Sequence, residues 1–408
     1  MPDLLIRNAV LDGSRTDALI EGGVFTAIGP GLDAPPGVET LDAEGFILAP
    51  AFYNAHTHSA MSIMRGLADD LRLETWLNEH IWPFEAKLTD DDVRRGVLLA
   101  AEEMIRSGTV FFNDMYWMPD VALRVADEIG MRAVIGPCLI SNPLAKFTRA
   151  EELEEAYRHV AHPDLLSIAY APHAVYSADE RLLRDTAEKA RADRRFIHVH
   201  ASETRAEVEG CLREHGVTPV AWLDKCGLLT DRTILAHGVH LTDEDIAIIR
   251  DRGAVVVHNP CSNYKLCSGQ FPFRRVFEEG GCRVALGTDG CASNNSLSFF
   301  NEMKLAALNA KIQSGDPECG KAEDIWRIAT RGGAQAFGLD GGEIAVGRLG
   351  DAILLDPSAP ALNPPRNLAS ALVYAADTSC VDTVICDGRI LMRHKALRAI
   401  HGHAILGS

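Results

Sequence analysis

The sequence has no run of the roughly 18 uninterrupted apolar residues that a membrane-spanning helix requires, so no such helix is expected. The first residues, Met1 to Leu4, lack the basic and apolar segments of a secretory signal peptide. Forty basic residues stand against 57 acidic ones, which leaves a net charge of −17. This balance disfavours a nucleic-acid polymer or an anionic membrane as the partner. We therefore expect a cytoplasmic protein that acts on a small molecule.

Cys-x-x-Cys pairs are also absent, although the chain has ten cysteines. Two pairs of cysteines lie six positions apart, 261 with 267 and 380 with 386, which is not the spacing of a zinc ribbon. Without a secretion signal, we expect reduced and mostly buried thiols. The 47% of hydrophobic and 24% of charged residues are typical of a folded globular chain.

Eight short apolar runs lie between residues 46 and 290, and each ends in a polar residue before a segment of helical character. The runs are mostly continuous rather than alternating, which is typical of parallel strands covered on both faces. They are Phe46–His58, Thr109–Asp114, Arg132–Ile140, Leu165–His173, Phe196–Glu203, Thr233–His240, Gly253–Asn259 and Cys282–Asp289.

The segments between the runs carry helix-start signals. Thr89 followed by three aspartates begins one helix, and Thr242 begins another that ends at Gly253. A third helix begins at Ser177 or Asp179. Strands that alternate with helices predict an α/β fold, specifically a (β/α)₈ TIM-like barrel. A doubly wound open sheet is the alternative, but no Gly-x-Gly-x-x-Gly follows the first run.

The two ends of the chain share a different pattern of short strands separated by Asp-Gly and Gly-Gly turns. We expect residues 1–50 and 340–408 to form one small β-sandwich domain that is discontinuous in sequence. The barrel would then comprise residues 51–339.

Imidazoles and a carboxylate stand at the ends of four runs, where barrel enzymes place their reactive groups. Residues two apart in a strand point to the same face, so the paired histidines can converge inside the barrel. A single buried histidine is usually structural, and one His-x-His is weak support for a metal. Four strand ends together match the nitrogen and oxygen ligands of a divalent metal such as zinc. The residues are His56, His58, His198, His200, His237 and Asp289.

Several motifs resemble the amidohydrolase superfamily. More narrowly, they look like its mononuclear-metal deaminases of 5′-methylthioadenosine and S-adenosylhomocysteine, over almost the whole chain. The motifs are His56-Thr57-His58, His200-x-x-Glu203, His237, His258-Asn259-Pro260-x-Ser262-Asn263, Gly287-Thr288-Asp289-Gly290, Met64-Arg65-Gly66 and the segment from Trp76 to Glu85.

The resemblance assigns the metal ligands to His56, His58, His200 and Asp289. Some amidohydrolases hold two metals through a carboxylated lysine at the end of the fourth strand, but residues 168–173 contain no lysine. We therefore expect one divalent metal per chain, with zinc favoured over ferrous iron.

The implied reaction is hydrolytic deamination of an adenine nucleoside to its inosine analogue and ammonia. The candidate substrates are 5′-methylthioadenosine, S-adenosylhomocysteine, 5′-deoxyadenosine and adenosine. Zinc lowers the pKa of water from about 15.7 to about 7, so a metal-activated hydroxide could attack C6 of the purine. Glu203 would protonate the neighbouring ring nitrogen, and Asp289 together with His237 would take the proton from water.

Four further residues are candidate substrate contacts. The resemblance implies that His173 contacts the purine and Glu85 the ribose hydroxyls, while a loop-packing role and a solvated helix end are the alternatives. Trp76 would pack on the 5′ substituent or seal the barrel mouth. Arg149 is the nearest candidate for the arginine that the family uses at the 5′ end, although no motif aligns it. Three methionines, 61, 64 and 118, would line a thioether pocket or fill the core.

Other functions remain open at this stage. The same metal set would serve a deaminase or dechlorinase of another electron-poor ring, such as guanine, cytosine, a pterin or an s-triazine. A cyclic-amide hydrolase is disfavoured by the missing lysine, and a non-catalytic metal-binding protein by the presence of Glu203 and His237. By resemblance, the chain is expected to form a homo-oligomer.

Overall fold

The computed structural model describes residues 3–398 and residue 400. The strands are β1 (Leu4–Leu11), β2 (Ser14–Glu21), β3 (Val24–Gly29), β4 (Glu39–Asp42), β5 (Ile47–Pro50), β6 (Phe52–Thr57), β7 (Thr109–Tyr116), β8 (Arg132–Leu139), β9 (Leu166–Ile168), β10 (Ala171–Pro172), β11 (Ile197–Ala201), β12 (Thr233–His237), β13 (Val255–His258), β14 (Arg283–Leu286), β15 (Ala352–Leu355), β16 (Val381–Cys386), β17 (Arg389–Arg393) and β18 (Ala396–Leu397).

The α-helices are α1 (Leu73–Thr75), α2 (Trp82–Glu85), α3 (Asp90–Arg106), α4 (Pro119–Ile129), α5 (Ala150–Tyr157), α6 (Glu180–Asp193), α7 (Arg205–His215), α8 (Pro219–Lys225), α9 (Asp243–Arg252), α10 (Pro260–Lys265), α11 (Cys291–Asn294), α12 (Phe299–Ser314), α13 (Ala322–Ala329), α14 (Arg331–Ala336) and α15 (Leu368–Tyr374). Two π-helical segments, Trp76–Ile81 and Arg274–Glu279, and four 3₁₀ segments, Ser59–Met64, Pro143–Phe147, Pro360–Leu362 and Thr378–Cys380, complete the helical structure of the described residues.

Two parallel sheets contain the strands predicted from the apolar runs. The first has the order β10-β8-β7-β6, with β9 also paired to β8, and the second has the order β11-β12-β13-β14. Helices alternate with these strands along the chain, which confirms the predicted α/β fold with parallel strands. Strands β6, β7, β11, β12 and β13 are buried along their whole length, because both faces are covered.

Backbone contacts connect the edges of the two sheets. Single parallel bridges join Tyr170 to Ile197 and Ala174 to His200, where the first sheet meets β11. On the other side, the N–H groups of Thr288 and Asp289 both donate to the carbonyl of His56, at 3.1 and 3.0 Å. The carboxyl ends of the parallel strands are thereby brought to one edge.

The third sheet combines both ends of the chain. Its order is β18-β17-β16-β15-β5-β1-β2-β3, with β4 paired to β1, and it contains parallel and antiparallel pairs. A separate apolar core packs against it, and this core draws Ile6, Ile20 and Phe25 from the first strands and Leu354 and Ile385 from the last.

The structure divides two runs that the sequence analysis treats as single strands. Run 46–58 forms β5 in the mixed sheet and β6 in a parallel sheet, with the chain passing from one to the other at Ala51. Both strands are largely buried, so the hydrophobic pattern does not mark the change of sheet. Run 165–173 forms the short strands β9 and β10, both paired to β8.

The predicted helix starts agree with the structure. Thr89 and Thr242 each cap a helix through a reciprocal capping box, α3 with Asp92 and α9 with Asp245. The side chain of Asp179 caps α6, which settles the choice between residues 177 and 179.

All ten cysteines are free thiols, and eight of them are buried, as the sequence analysis expects. None of the helices in the described residues has the length and apolar character needed to cross a bilayer.

A buried polar cluster ties the parallel strands to the mixed sheet. Arg132, the first residue of β8, donates to Asp351 at 3.2 Å and to Asp387 at 2.8 Å, and all three side chains are buried. The hydroxyl of Tyr53 donates to the same Asp351 at 2.5 Å. These charges have little access to water, so each depends on its partner.

Replacing Arg132 with Met should lower the free energy of unfolding by about 3–5 kcal/mol, because two carboxylates would lose their buried counter-charge. Urea denaturation monitored by circular dichroism measures the change. The matched control is Arg181→Met, which removes an exposed guanidinium 3.7 Å from Asp185 and should cost less than about 1 kcal/mol. Equal losses for the two variants would contradict this role for the cluster.

Candidate active site

The residues singled out in the sequence converge at the carboxyl ends of the parallel strands. His56 lies near the end of β6 and His200 in β11, while His237 ends β12. Asp289 and Glu203 follow β14 and β11 by a few residues. All five side chains are buried.

Three residues at these strand ends have an unusual backbone conformation. Ser202, His237 and Asp289 adopt φ angles of 52°, 77° and 59°, in the left-handed region that residues other than glycine rarely occupy. Such strain costs about 1–3 kcal/mol per residue and is concentrated at functional sites. The conformation turns each strand end sharply and directs the side chains of His237 and Asp289 towards the common centre.

Four potential ligand atoms lie within 4.8 Å of one another, from His56, His58, His200 and Asp289. The Nε2 atoms of His56 and His58 are each 3.2 Å from Oδ1 of Asp289. The Nε2 atoms of His58 and His200 are also 3.2 Å apart. Tetrahedral zinc with bonds of about 2.0–2.1 Å places its ligand atoms about 3.3 Å apart, so the spacing fits one such ion.

Each of these three histidines is oriented by a hydrogen bond through its other ring nitrogen. Nδ1 of His58 lies 2.5 Å from the carbonyl of Met115, and Nδ1 of His200 lies 2.7 Å from the carbonyl of His173. Nδ1 of His56 lies 2.7 Å from Nε2 of His198. If each Nδ1 donates its proton, all three Nε2 lone pairs face the same point. This arrangement is typical of histidines that bind a metal.

The electrostatics of the cluster suit a cation. Burial lowers the pKa of His56 to about 4 and that of His200 well below its usual value, so both rings are neutral. Burial alone would raise the pKa of Asp289, but hydrogen bonds from His56 and His58 hold it well below the usual range. Burial also opposes a proton on His58, yet Asp289 raises its pKa to about 9. A cation binding here would displace that proton.

Glu203 and His237 face the same centre. Oε2 of Glu203 lies 3.8 Å from Nε2 of His237, which is 3.9 Å from Oδ2 of Asp289. Nδ1 of His237 lies 2.8 Å from the side-chain oxygen of Asn263, so it donates there and leaves Nε2 as an acceptor. Burial raises the pKa of Glu203 although the nearby His237 opposes it, so this carboxyl readily holds a proton.

Two serines complete the surroundings of Asp289. The hydroxyls of Ser262 and Ser293 donate to Oδ2 at 2.6 and 3.1 Å. Ser262 belongs to one of the motifs quoted above, without an assigned role, and Ser293 was not singled out. Their approach to Asp289 could not be read from a sequence pattern, because the contacts join separate strand ends.

A cavity opens above this cluster, at the carboxyl ends of the parallel strands. Its wall is largely apolar, and the π-helical segment contributes Trp76, Leu77 and Ile81. The remaining lining residues are His58, Met61, Leu73, Trp82, Glu85, Met115, Tyr116, Trp117, Cys138, His173, Tyr176, His200, Glu203, His237, Leu266, Asp289 and Ser293.

Three of the four candidate substrate contacts line the cavity, namely Trp76, Glu85 and His173. Burial raises the pKa of Glu85 to about 7 against opposing hydrogen bonds from Trp117 and Tyr116. Burial also lowers the pKa of His173 to about 3, so its ring is neutral. The structure therefore places an acceptor-rich carboxyl and a neutral imidazole at the cavity wall.

Arg149 is not among the residues that line the cavity. Its guanidinium makes two hydrogen bonds to Asp90, at 2.6 and 3.0 Å, and lies 3.5 Å from Asp120. The position of Arg149 therefore does not support the expectation that it contacts the substrate, because its guanidinium is paired with these two acidic residues. Likewise only Met61 of the three expected methionines lines the cavity, since Met64 and Met118 are buried elsewhere in the core.

The sequence analysis missed some residues that support the site. Tyr176 lines the cavity, and Ser268 donates to Oε1 of Glu203 at 3.1 Å. His198 was noticed for its spacing but not as the partner of His56. Only His198 carried a sequence signal, its two-residue spacing from His200 on one face of β11.

Comparisons with known proteins agree with this geometry. The sequence profile of the Amidohydrolase family matches residues 47–391. The 5′-deoxyadenosine deaminase of Methanothermobacter thermautotrophicus is 43% identical over 405 residues, covering 98% of this chain and 93% of that protein. The 5-methylthioadenosine/S-adenosylhomocysteine deaminase of Thermococcus onnurineus is 40% identical over 392 residues, covering 95% and 92%.

A solved structure is similar over almost the whole fold. The crystal structure of an adenosine deaminase from Xanthomonas campestris with bound zinc has a TM-score of 0.93 to this chain at 34% identity. The match covers 99% of this chain and 96% of the other.

Replacing His200 with Asn should greatly reduce bound metal, because the buried cluster would lose one of its ligand nitrogens. The loss of affinity should exceed the 10- to 100-fold that is typical of removing an outer hydrogen-bond partner of a ligand. Elemental analysis and competition with a chelator measure zinc per chain and affinity. The control is His159→Asn, at an exposed imidazole in the turn after α5. Unchanged zinc affinity in His200→Asn would contradict the ligand assignment.

Proposed function

The chain belongs to the amidohydrolase family, and from this we propose that it is a metal-dependent aminohydrolase of an adenine nucleoside. Its products would be the inosine analogue and ammonia. The observation that carries the proposal is the convergence of His56, His58, His200 and Asp289 beside Glu203 at the floor of a cavity. The deaminase names of relatives at 40–43% identity supply the substrate class.

The fold proposed for this function is a (β/α)₈ barrel of residues 51–339 with a small β-sandwich domain built from residues 1–50 and 340–408, of which 1–2, 399 and 401–408 lie outside the described residues. The bridges between the two parallel sheets and the contact of Asp289 with His56 support a closed ring of strands. The mixed sheet, with its own apolar core, supports a domain that both chain ends share. The cytoplasmic location and the homo-oligomeric state remain predictions.

One zinc ion fits the four ligands. His56, His58, His200 and Asp289 would hold it, and their spacing and protonation states support that assignment. When bound, such an ion makes hydroxide available at neutral pH and so supplies the nucleophile for attack at the amine-bearing carbon.

The chain's own residues move the protons. Glu203, whose raised pKa keeps a proton available, donates it to the purine nitrogen beside the reacting carbon. His237, together with Oδ2 of Asp289, accepts the proton that the attacking water releases. His237 then returns this proton to the departing amine, and ammonia leaves. The proton that remains on the attacking oxygen passes to Glu203, which restores the acid and closes the proton balance.

The cavity wall orients the nucleoside. Glu85 accepts hydrogen bonds from vicinal ribose hydroxyls, which suits a carboxylate, and His173 contacts the purine ring. Trp76 packs against the 5′ substituent. Among the described residues, no Lys or Arg lines the cavity. Besides Trp76, the apolar part of the wall includes Leu73, Leu77 and Leu266. This lining favours a small apolar 5′ group over the charged tail of S-adenosylhomocysteine.

The function is tested by turnover of a substrate panel, measured as ammonia release and as loss of the adenine chromophore. We expect 5′-deoxyadenosine and 5′-methylthioadenosine to have higher kcat/KM than S-adenosylhomocysteine, because burying an unpaired charged group against apolar side chains is unfavourable. Guanine is included in the panel to test the alternative function, deamination of another electron-poor ring. Turnover of guanine with no turnover of any adenine nucleoside would refute the proposal.

Glu203→Gln should lower kcat by about 10²–10⁴-fold, because an amide cannot supply the proton. Zinc content should not change, since Glu203 is not one of the four ligands. The control is Glu214→Gln, at an exposed position of the following helix, which should behave as the unaltered enzyme. Full activity in Glu203→Gln would remove this residue from the reaction.

A further inference from the structure

Glu207 is a buried carboxyl in α7 that the proposed reaction does not use. The residue is 7% exposed, and burial raises its pKa to about 7 against the hydrogen bonds that the carboxylate accepts from the backbone of Glu203 and Ser202. A buried acidic group next to another acidic group is costly, so its hydrogen-bond partners are informative.

Both carboxylate oxygens of Glu207 accept backbone N–H groups of the turn that carries Glu203. Oε1 accepts from the N–H of Ser202 at 2.9 Å, and Oε2 accepts from the N–H of Glu203 itself at 2.7 Å. Hydrogen bonds to an ionised acceptor are about twice as strong as neutral ones. The carboxylate therefore accepts hydrogen bonds from two consecutive peptide N–H groups at the same time.

This arrangement differs from ordinary helix capping elsewhere in the chain. In α3 and α9 the acidic residue at the third helical position bonds the N–H of its own N-cap threonine, Asp92 to Thr89 and Asp245 to Thr242, each at 3.0 Å. In α7 the N-cap is Thr204, whose hydroxyl accepts from the N–H of Glu207. The side chain of Glu207 does not accept the N–H of Thr204 but those of Ser202 and Glu203, the two residues before Thr204.

The turn that Glu207 holds contains Ser202, one of the three site residues with a left-handed backbone. Ser202 has a φ of 52°, and its carbonyl accepts the N–H of His240 at 2.9 Å. Glu207 therefore restrains one side of this residue and the loop after β12 restrains the other. The next side chain, Glu203, is thereby aimed at His237.

We propose that Glu207 is a positioning residue that fixes the backbone of Ser202 and Glu203 and so sets the direction of the catalytic carboxyl. Glu207 is not among the residues that line the cavity and is not a member of the four-residue ligand group. Its effect on rate passes through Glu203. The inference rests on the proposed function, in which Glu203 donates a proton.

Glu207→Gln tests the proposal. A single amide oxygen cannot accept both N–H groups as a carboxylate does, so the turn should loosen. We expect kcat to fall by about 10- to 100-fold, the scale that a displacement of about 1 Å produces. KM and zinc per chain should stay within about 2- to 3-fold, because a positioning role leaves ground-state binding in place. The control is Glu209→Gln, at an exposed position of the same helix.

The decisive measurement is a double-variant cycle. If Glu207 acts through Glu203, adding Glu207→Gln to Glu203→Gln should lower kcat by less than about 2-fold further, because residues that act as a unit are non-additive. A general loss of structure would instead lower kcat by the same factor in both backgrounds, and that result would overturn the proposal. Unchanged kcat in the single variant, or parallel loss of zinc, would also overturn it.

If Glu207→Gln lacks a cooperative unfolding transition and so does not fold, Glu207→Asp replaces it as the test variant. The shorter carboxylate keeps its charge but cannot reach both N–H groups, so kcat should again fall with KM retained, and retained kcat would count against the proposal. If the unaltered enzyme deaminates no nucleoside, the proposed function and this inference fail together. If it is active and Glu207→Gln is equally active, only this inference fails.

Discussion

The site depends on one buried carboxylate, Asp289, surrounded by three imidazoles. A charge of this kind is stable away from water only when opposite charge and hydrogen bonds surround it. His56 and His58 lie 3.2 Å from its Oδ1, and Ser262 and Ser293 donate to Oδ2. The Nε2 atoms of His56 and His58 that approach the carboxylate also belong, with His200 and Asp289 itself, to the group whose spacing fits a zinc ion. Structural stability and metal affinity therefore have a common physical origin here.

Close packing of backbone at the strand ends makes this convergence possible. Gly287 and Gly290 flank the turn before and after Asp289, and a Cβ atom on either would approach its neighbours too closely. At Gly287 it would lie 2.5 Å from Oδ1 of Asn259 and 2.8 Å from Cβ of His56. At Gly290 it would lie 2.6 Å from Sδ of Met61. Glycine at both positions lets the turn after β14 approach the end of β6, and the left-handed Asp289 between them turns into the centre.

Burial has opposite consequences for the two kinds of titratable group in the cavity. It raises the pKa of Glu85 and Glu203 and lowers that of His173 and His200. The rings of His173 and His200 are therefore neutral at neutral pH, whereas Glu85, with a pKa of about 7, exchanges between acid and carboxylate, and the partners of Asp289 keep it ionised. The burial that the largely apolar wall of the cavity imposes is therefore also what raises the pKa of Glu203.

The α/β class, the helix caps and the strand ends that carry the histidines could be predicted from the sequence, since these follow from local periodicity and from side chains two to four residues apart. Which distant groups meet depends instead on the tertiary structure. It paired Arg149 with Asp90 and Asp120, joined His198 to His56, and turned Glu207 back onto the Glu203 loop. A local pattern reports which face of a strand or helix a residue occupies. Which partner it contacts across that face depends on how separate segments pack, and that information is spread over the whole chain.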